Sequence, residues 1–377
     1  MDKVRFGIIG LGNMGRTHTR NFIAGKVPEA QLTAVCDKNP DKLAAIKDVI
    51  GDQDVHYFDD AEDMMKSGLI DAIIIAVPHY FHPEYAIKGF EQNLHVMTEK
   101  PAGVYTRQVR QMNEAAAKTD RKFGIMFQHR GEPIYRKMHE IVSSGELGDL
   151  KRINLIFTDW YRTQAYYDSG SWRATWAGEG GGVLANQCPH SLDLWQWIVG
   201  MMPTRVSAFC HEGKWHNIEV EDDVSAYLEY PNGATCLFTT CTADAPGINR
   251  IELTGNNGRL LAEGGKLTFY KLRQGERQYN ATTKEGFKAP EYDIIDVPLQ
   301  GEFQWHPYIL RNFCAAILRN EPLYVPGEEG IKGLTLANAI MLSSWLGKPV
   351  ELPLDEVLFY DELQKRVARS SFNGKFW

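Results

Sequence analysis

The segment GIIGLGNMGRTH, residues 7–18, contains Gly10, Gly12 and Gly15 in the spacing G-x-G-x-x-G. It follows a short apolar run that predicts a strand and precedes a stretch that predicts a helix. Gly10 would permit the tight turn, Gly12 would let a pyrophosphate approach the backbone, and Gly15 would let the helix pack on the strand. Phosphates would bind at the free N–H groups of the helix N-terminus. The segment therefore predicts a dinucleotide-binding turn in an α/β sheet, and a glycine-rich turn without a ligand is the alternative.

An acidic residue stands at the distance that such a turn requires. Asp37 lies 22 residues after Gly15, at the end of the second predicted strand, QLTAVCD. A carboxylate there can accept a hydrogen bond from the ribose 2′-hydroxyl and repels the 2′-phosphate of NADP. NAD is therefore the expected cofactor and NADP the less favoured one, although Lys38 beside the acid weakens that preference.

The pattern of strands and helices changes along the chain. In the first third, apolar runs such as DAIIIAVP at 71–78 alternate with helix-like segments, which predicts βαβ units around a parallel sheet. After about residue 150, longer strands are joined by turn residues at 231–233 and 256–258. Two helices are predicted near 305–319 and 330–346.

These patterns predict two domains. Residues 1–128 would form an α/β Rossmann domain that binds NAD. Residues 129–377 would form an α+β domain for substrate binding and oligomerisation, with a large, mainly antiparallel, open-faced sheet. The late helices could pack back on the Rossmann domain.

Composition restricts the class of protein and its partners. The 377 residues carry a formal net charge of −7 and show no basic stripe, so nucleic acid is not an expected partner. The six cysteines form no C-x-x-C pair and no zinc spacing, which predicts free thiols and no metal site. The sequence shows no signal peptide and no apolar run long enough to cross a bilayer, so we expect a cytoplasmic protein without a membrane partner.

Four motifs, in this order, give the sequence a resemblance to a known family. They are the glycine turn, VPHYFHPEYA at 77–86, Glu99-Lys100-Pro101, and GEGGGVLANQCPHSLDLWQWIVG at 178–200. Over nearly the whole chain the sequence resembles the Gfo/Idh/MocA oxidoreductases, named for glucose–fructose oxidoreductase and inositol dehydrogenase. Besides the three glycines, the expected cofactor-binding residues are Asn13, Met14, Asp37, Lys38, Val77, Pro78, His79, His82, Glu99, Lys100 and Gln128.

The resemblance also implies three catalytic residues. Lys100 would point into the cleft after a cis Lys100-Pro101 bond, where burial or neighbouring cations would ease the loss of its proton; a surface lysine is the alternative. His190 matches the histidine of the family pattern G-G-G-x-x-x-D-x-x-x-H, and Asn186 stands where that pattern has aspartate. A neutral amide can orient the imidazole or bind a sugar hydroxyl, but it cannot stabilise an imidazolium as a carboxylate would.

A helix is predicted to begin at Pro189 and to end at Gly200. His190 would then lie near the positive end of the helix dipole, which favours the neutral imidazole that can accept a proton. The alternative is a helix-start histidine that contacts Asp193 and has no role in chemistry.

The segment at 159–182 is rich in Tyr, Trp and Arg, which suits sugar binding, because aromatic faces stack on sugar rings and Arg binds hydroxyls or carboxylates. Trp172 and Arg173 also resemble a family position that lines the substrate pocket. For Tyr166 and Tyr167 a core or subunit-contact role is favoured. The expected substrate-binding residues are Lys100, Tyr161, Trp172, Arg173, Asn186 and His190.

These residues predict an NAD-dependent dehydrogenase that oxidises a secondary hydroxyl of a cyclic polyol, sugar or glycoside. His190 would take the hydroxyl proton, helped by Lys100, while the hydride goes to the nicotinamide. Two alternatives remain open: a redox-neutral glycosidase or lyase that keeps NAD(H) bound, and a non-enzymatic NAD(P)-binding regulator. Apolar residues on alternate positions of the strands at 224–230 and 235–241 predict a homo-oligomer, a dimer or a tetramer.

Overall fold

The N-terminal sheet has six parallel strands in the computed structural model, which describes residues 2–372 and 374. The strands are β1 (Val4–Ile9), β2 (Ala30–Cys36), β3 (His56–Phe58), β4 (Ala72–Ile75), β5 (His95–Thr98) and β6 (Phe123–Ile125). Their order in space is β3-β2-β1-β4-β5-β6, so the strand order reverses between β1 and β4. Open parallel sheets bind ligands at such a reversal, outside the carboxyl ends of the strands.

Five helices connect these strands: α1 (Asn13–Ile23), α2 (Pro40–Ile50), α3 (Ala61–Lys66), α4 (His82–Glu91) and α5 (Thr106–Ala116). The four residues of β4 are all fully buried, as expected for a strand that helices cover on both faces. The side chain of Asn39 accepts hydrogen bonds from the N–H groups of Asp41 and Lys42, so α2 begins where its capping residue stands. The predicted Rossmann fold is confirmed.

The second sheet has nine strands within the described residues. They are β7 (Leu150–Phe157), β8 (Arg205–Glu212), β9 (Glu221–Glu229), β10 (Thr235–Cys241), β11 (Asn249–Gly255), β12 (Gly258–Glu263), β13 (Lys266–Leu272), β14 (Tyr292–Asp296) and β15 (Val350–Glu351). Their order is β14-β13-β12-β11-β7-β10-β9-β8-β15, and β7 and β10 are the one parallel pair of this sheet in the described residues. The prediction of a mainly antiparallel sheet is therefore confirmed. Turns at 231–233 and 256–257 join the strand pairs, as predicted.

The remaining helices are α6 (Pro133–Ser143), α7 (Gln164–Tyr167), α8 (Pro189–Val199), α9 (Glu276–Thr282), α10 (Trp305–Arg319), α11 (Gly330–Leu346) and α12 (Glu356–Val367). Helices α8 and α11 pack together, and α11 covers β8. On the opposite face of the sheet, Phe209, Tyr227 and Leu237 are exposed, and Tyr227 pairs with Leu237 across adjacent strands. Among residues 2–372, no helix combines the length and the apolarity needed to cross a membrane.

Helix α10 packs on the N-terminal sheet although it follows the second sheet in the chain. Ile309, Leu310 and Phe313 belong to the buried core of the Rossmann domain. The Phe313 ring lies 6.3 Å from that of Phe6 on β1. The helix bounds agree with the predicted ones, and α10 is a late helix that packs back on the Rossmann domain.

A buried ion-pair network links the two sheets. Arg130 follows β6, and its guanidinium donates two hydrogen bonds to Asp193 on α8, at 2.8 and 2.6 Å. It also forms an ion pair with Glu329 at 2.6 Å and lies over the Trp197 ring. Since Arg130 and Asp193 are both about 1% exposed, each charge depends on the other for compensation.

Candidate active site

A cleft of about 440 Å³ lies outside the carboxyl ends of β1, β2, β4 and β5, where the strand order reverses. Its lining includes fifteen of the residues expected from the sequence: Gly10, Gly12, Asn13, Met14, Asp37, Lys38, Val77, Pro78, His79, His82, Glu99, Lys100, Trp172, Arg173 and Asn186. Gly15, Gln128, Tyr161 and His190 lie outside this lining. Both domains therefore contribute to one cleft.

The glycine turn has the geometry of a phosphate-binding loop. Gly10 has a φ of +90°, and a Cβ there would lie 2.5 Å from the carbonyl oxygen of Ala76. A Cβ on Gly15 would lie 1.8 Å from the oxygen of Gly10, so Gly15 serves the packing of α1 on β1. Among the described residues, a Cβ at Gly12 would meet nothing within 4 Å, so this position is open. Helix α1 has neither a side-chain cap nor an acidic residue in its first turn, so its N–H groups suit an anion.

Asp37 lines the same cleft and also holds the glycine turn. Its carboxylate is buried and accepts hydrogen bonds from the N–H groups of Leu11, at 2.7 Å, and Asn39, at 2.9 Å. Lys42 lies 3.5 Å away through its Nζ atom. Lys42 is a second cation on this wall that the sequence did not single out, because it lies one helical turn into α2.

The turn that carries Lys100 is braced by two buried histidines. The Lys100-Pro101 peptide bond is cis, as expected. His18 on α1 lies 2.7 Å from Glu99, so the carboxylate of Glu99 binds this imidazole. The ring nitrogens of His82 lie 2.7 and 2.8 Å from the carbonyl oxygens of Pro101 and Val77. His82 thus joins the two loops that follow β4 and β5.

Lys100 is a buried cation at the inner end of the cleft. Its Nζ atom donates a hydrogen bond to the backbone oxygen of Asn186 at 2.8 Å and lies 3.5 Å from the side-chain oxygen of Asn186. Burial lowers the pKa of Lys100, the charges of Arg162 and Arg173 act in the same direction, and Glu99 and Glu179 oppose them. A lowered pKa makes the Lys100 ammonium a stronger hydrogen-bond and proton donor than an exposed lysine.

His190 occupies the second position of α8, and the helix begins at Pro189 as predicted. Burial lowers its pKa well below the ordinary value, and the charges of His129 and Lys100 add to this effect. Its Nε2 atom lies 3.3 Å from the amide nitrogen of Gln128, and its Nδ1 atom is buried without a hydrogen-bond partner among the described residues. The carboxylate of Asp193 binds Arg130 and Gln196. The alternative contact between His190 and Asp193 is therefore absent among the described residues.

The glycines at 180–182 are positioned by a buried carboxylate that the sequence did not reveal. Glu221 accepts hydrogen bonds from the N–H groups of Gly182 and Leu184, at 2.9 and 3.1 Å. A Cβ on Gly182 would lie 1.9 Å from the backbone oxygen of Glu221, so the close approach requires glycine. Burial raises the pKa of Glu221 to about 7. This contact fixes the segment that leads to Asn186.

Asn186 binds two residues that the sequence analysis did not assign to the site. Its amide nitrogen donates to a carboxylate oxygen of Glu179 and to the hydroxyl of Tyr166, the latter at 3.1 Å. Tyr166 also accepts from Arg173 at 2.9 Å. In the sequence, the glycines that flank Glu179 and the aromatic residues around Tyr166 were the signals that could have assigned these two residues to the site. By contrast, Tyr167 is buried and bound to Thr242, as favoured for the core.

Aromatic and basic side chains surround Lys100 and His190. Trp172 meets the edge of His79 at 6.0 Å, and Arg173 lies over the rings of Trp172 and Tyr166. Near His190, the ring of His129 lies 4.5 Å away and contacts a second group of aromatic rings that the sequence analysis missed: Trp160, Phe303 and Trp305. Tyr161 is 51% exposed and lies outside the cleft lining.

Two family models match consecutive parts of the chain. Residues 4–127 match a family model described as an oxidoreductase family with an NAD-binding Rossmann fold. Residues 135–261 match the GFO/IDH/MocA C-terminal domain. The chain belongs to the Gfo/Idh/MocA oxidoreductase family. Its cofactor is NAD, and the open position at Gly12, the uncapped start of α1 and the acid at Asp37 fit that group.

Two inositol dehydrogenases and the structure of a WlbA dehydrogenase are similar to this chain over nearly their whole length. Inositol 2-dehydrogenase of Rhizobium meliloti is 23% identical, with 90% of this chain and 96% of the relative covered. Myo-inositol 2-dehydrogenase of Thermotoga maritima is 24% identical, with 94% and 100% covered. The structure of the WlbA dehydrogenase from Bordetella pertussis, in complex with NADH and UDP-GlcNAcA, is 26% identical with a TM-score of 0.79 and covers 94% of this chain and 100% of its own.

Within this Gfo/Idh/MocA site, Asp37→Ser is expected to reduce the preference for NAD over NADP by about tenfold or more, because it removes the charge that repels a 2′-phosphate. NAD affinity should fall as well, since the hydrogen bonds that Asp37 accepts from Leu11 and Asn39 are weakened or lost. The measurement is the dissociation constant of each dinucleotide by fluorescence titration. Asp41→Ser, an exposed acid on α2, is the control. A wild-type protein that binds NADP more tightly than NAD would contradict the assignment.

Proposed function

We propose that the protein is an NAD-dependent dehydrogenase that oxidises a secondary hydroxyl of a cyclic polyol, sugar or glycoside. The observation that carries the proposal is the placement of a desolvated lysine, Lys100, and a histidine of lowered pKa, His190, beside a cleft that fits NAD. The names of the two inositol dehydrogenases and of the WlbA enzyme, which binds a sugar nucleotide, support the substrate class.

In this proposal the expected residues divide between the parts of the dinucleotide. The glycine turn, with Asn13 and Met14, would hold the pyrophosphate at the start of α1. Asp37 would bind the adenosine ribose, next to Lys38. The loop after β4, with Val77, Pro78 and His79, would follow the cofactor toward Lys100. When bound, the nicotinamide supplies the acceptor for the hydride.

The two titratable groups would divide the handling of the proton. Among the described residues His190 Nδ1 has no hydrogen-bond partner, so it is the ring atom that would face the hydroxyl. Nδ1 can take the hydroxyl proton when Nε2 carries the ring N–H, which requires the Gln128 amide to turn its oxygen, in place of its nitrogen, toward Nε2. The ammonium of Lys100 would donate a hydrogen bond to the reacting oxygen and stabilise its developing negative charge. The same buried surroundings keep His190 neutral and therefore able to accept.

The polar atoms around this point favour a ligand with several hydroxyls. Besides His190 Nδ1, the side-chain oxygen of Gln128 and the Nε atom of Arg162 are buried without a hydrogen-bond partner among the described residues. Buried polar groups are normally paired, so these open positions, two of which lie on the neighbouring side chains of His190 and Gln128, support a polyhydroxylated substrate. The rings of Trp172, Trp160 and Trp305 would pack against the apolar faces of such a molecule.

The test is a panel of inositols, free sugars and glycosides, each with NAD and with NADP, followed at the NADH absorbance. The expected result is net NADH formation with NAD and at least one cyclic polyol, sugar or glycoside. Two results would contradict the proposal. Cleavage of a glycoside without net NADH would show a redox-neutral cycle, and NAD binding without turnover of the panel would favour a regulator.

The open face of the second sheet is proposed to form a contact between subunits of a dimer or tetramer. Leu237 is 52% exposed and Phe209 is 71% exposed on this face, where isolated apolar side chains would otherwise contact water. We expect Leu237→Asp to lower the molar mass found by light scattering at micromolar concentration to that of the next smaller assembly. Val357→Asp, at an exposed apolar position on α12, should not change the mass. A monomeric wild-type protein would refute the proposed contact.

A further inference from the structure

A continuous hydrogen-bonded chain runs from Lys100 through Asn186 to Glu179. The Lys100 ammonium donates to the backbone oxygen of Asn186 and faces its side-chain oxygen, and the amide nitrogen of Asn186 donates to Glu179. The amide of Asn186 thus presents its oxygen to a cation and its nitrogen to a carboxylate. The partially negative oxygen therefore meets the cation and the N–H donor meets the carboxylate, so both contacts are electrostatically favourable.

Glu179 is held in place more strongly than a surface carboxylate would be. It is 2% exposed, and its second oxygen accepts a hydrogen bond from the N–H of Ala174 at 2.6 Å. Ala174 has a φ of +52°, a conformation that costs free energy outside glycine, and this conformation accompanies the N–H that points at Glu179. Arg173 lies 4.0 Å away, and the backbone oxygen of Glu179 contacts His79 at 3.2 Å.

We propose that Glu179 supplies the negative charge that the family pattern has at position 186 and is a positioning residue for Lys100, with Asn186 as the connecting group. This inference rests on the proposed dehydrogenase function. It accounts for the departure of this chain from the family pattern, in which position 186 is an aspartate. The negative charge is present in this site, but it is carried by residue 179.

The identity of residue 186 follows from the position of Glu179. An aspartate at 186 would place two carboxylates in hydrogen-bond contact, and like charges at that distance cannot both ionise without a large cost in free energy. An asparagine removes this repulsion and supplies the N–H that Glu179 accepts. A carboxylate at 179 and an amide at 186 can therefore form a hydrogen bond, which two ionised carboxylates could not form.

Glu179 is also one of the two carboxylates whose charge acts on the ammonium of Lys100. Glu99, the other, is bound to His18, whereas Glu179 is linked to Lys100 through Asn186. Glu179 raises the pKa of Lys100 against the effects of burial and of the neighbouring cations. Burial raises the pKa of Glu179, while Ala174 N–H, Arg173, Asn186 and Lys100 oppose that change. In the described residues, the charged or titratable groups that face Lys100 include Glu99, Glu179, Arg162, Arg173, His79, His82, Cys188, His190 and His306.

The test compares Glu179→Gln, Asn186→Asp and the double variant that exchanges the two side-chain types. The first measurement is the rate at which acetic anhydride acetylates Lys100 between about pH 6 and pH 10, read by mass spectrometry, because only the neutral amine reacts. Relative to wild type, the profile should move to lower pH in Glu179→Gln. In Asn186→Asp it should move to higher pH over the part of the range in which both carboxylates are ionised. In the double variant it should return toward wild type. This readout does not require turnover, so it tests Glu179 even if the substrate panel fails.

The second measurement is kcat with the substrate found in the panel. Each single variant should lose about ten- to a hundredfold, by analogy with the loss seen when the outer partner of a metal ligand is removed. The double variant should recover to within about threefold of wild type, with NAD affinity unchanged throughout. Glu285→Gln, at an exposed acid, is the matched control and should keep full activity.

Three results would overturn the proposal. The first is an acetylation profile of Lys100 that Glu179→Gln leaves unchanged. The second is a double variant no more active than the weaker single variant, which would show that Glu179 serves only to hold the backbone at Ala174. The third result applies if Glu179→Gln fails to fold, since Asn186→Asp then has to decide alone. In that case, wild-type activity in Asn186→Asp would overturn the proposal.

Discussion

Replacing His190 by alanine is expected to reduce kcat by about two to four orders of magnitude, the range for loss of a general base. NAD affinity should stay within about twofold, because His190 lies outside the lining of the cleft that fits the cofactor. The expectation depends on the neutral imidazole, which burial and the charges of His129 and Lys100 maintain. Steady-state kinetics on the substrate found in the panel, together with NAD titration, provide the measurement.

The pH dependence follows from the sign of this pKa shift. A histidine of lowered pKa is already deprotonated at the ordinary histidine value of about 6.5. The wild-type rate should therefore not fall through titration of His190 as the pH drops past that value, and a fall due to His190 would begin only at lower pH. The exposed His211 on β8 gives the matched control, His211→Ala, which should keep wild-type kcat. A loss below threefold in His190→Ala would leave the mechanism without its base.

Replacing Arg130 by methionine is expected to lower the free energy of unfolding by about 3–5 kcal/mol, the cost of breaking a buried ion pair. The substitution preserves most of the side-chain volume but leaves the carboxylate of Asp193 buried, with Gln196 as its remaining side-chain hydrogen-bond partner in the described residues. It also releases Glu329 from its ion pair. Urea unfolding followed by tryptophan fluorescence gives the free energy.

A double variant separates the charge effect from the packing effect. In Arg130→Met with Asp193→Leu both charges are gone, and well-packed apolar replacements of a buried pair are often neutral. This variant should recover at least half of the lost stability. Arg121→Met, whose guanidinium pairs with the exposed Asp120, should cost less than about 1 kcal/mol. Equal losses in the two arginine variants would show that burial of the network contributes little.

Local signals predicted a large part of the fold and of the site. The bounds of α8, α10 and α11 agree with the predicted helices because proline, asparagine and glycine at their ends restrict the backbone locally. The glycine turn and Asp37 could be placed for the same reason, since their spacing reflects one βαβ unit. Each of these inferences needed only residues close together in the chain.

The partners of the catalytic residues could not be predicted in this way. Lys100 contacts Asn186 across 86 residues, and the bond from Gln128 to His190 spans 62 residues. Such pairs depend on how two domains close over one cleft, and no local pattern encodes that. Tyr166 illustrates the limit: its aromatic ring suggested a packing role, whereas its hydroxyl accepts hydrogen bonds from Asn186 and Arg173.

The position of α10 has a consequence for the order in which the chain can fold on the ribosome. Domains generally fold as units during synthesis, with the N-terminal domain first. Here Leu310 and Phe313 complete the core around Phe6 and Met97, so strands made early keep an uncovered apolar surface until residue 319 has left the exit tunnel. The second domain is synthesised in the meantime. The cofactor-binding half is therefore the first to begin folding and among the last to finish.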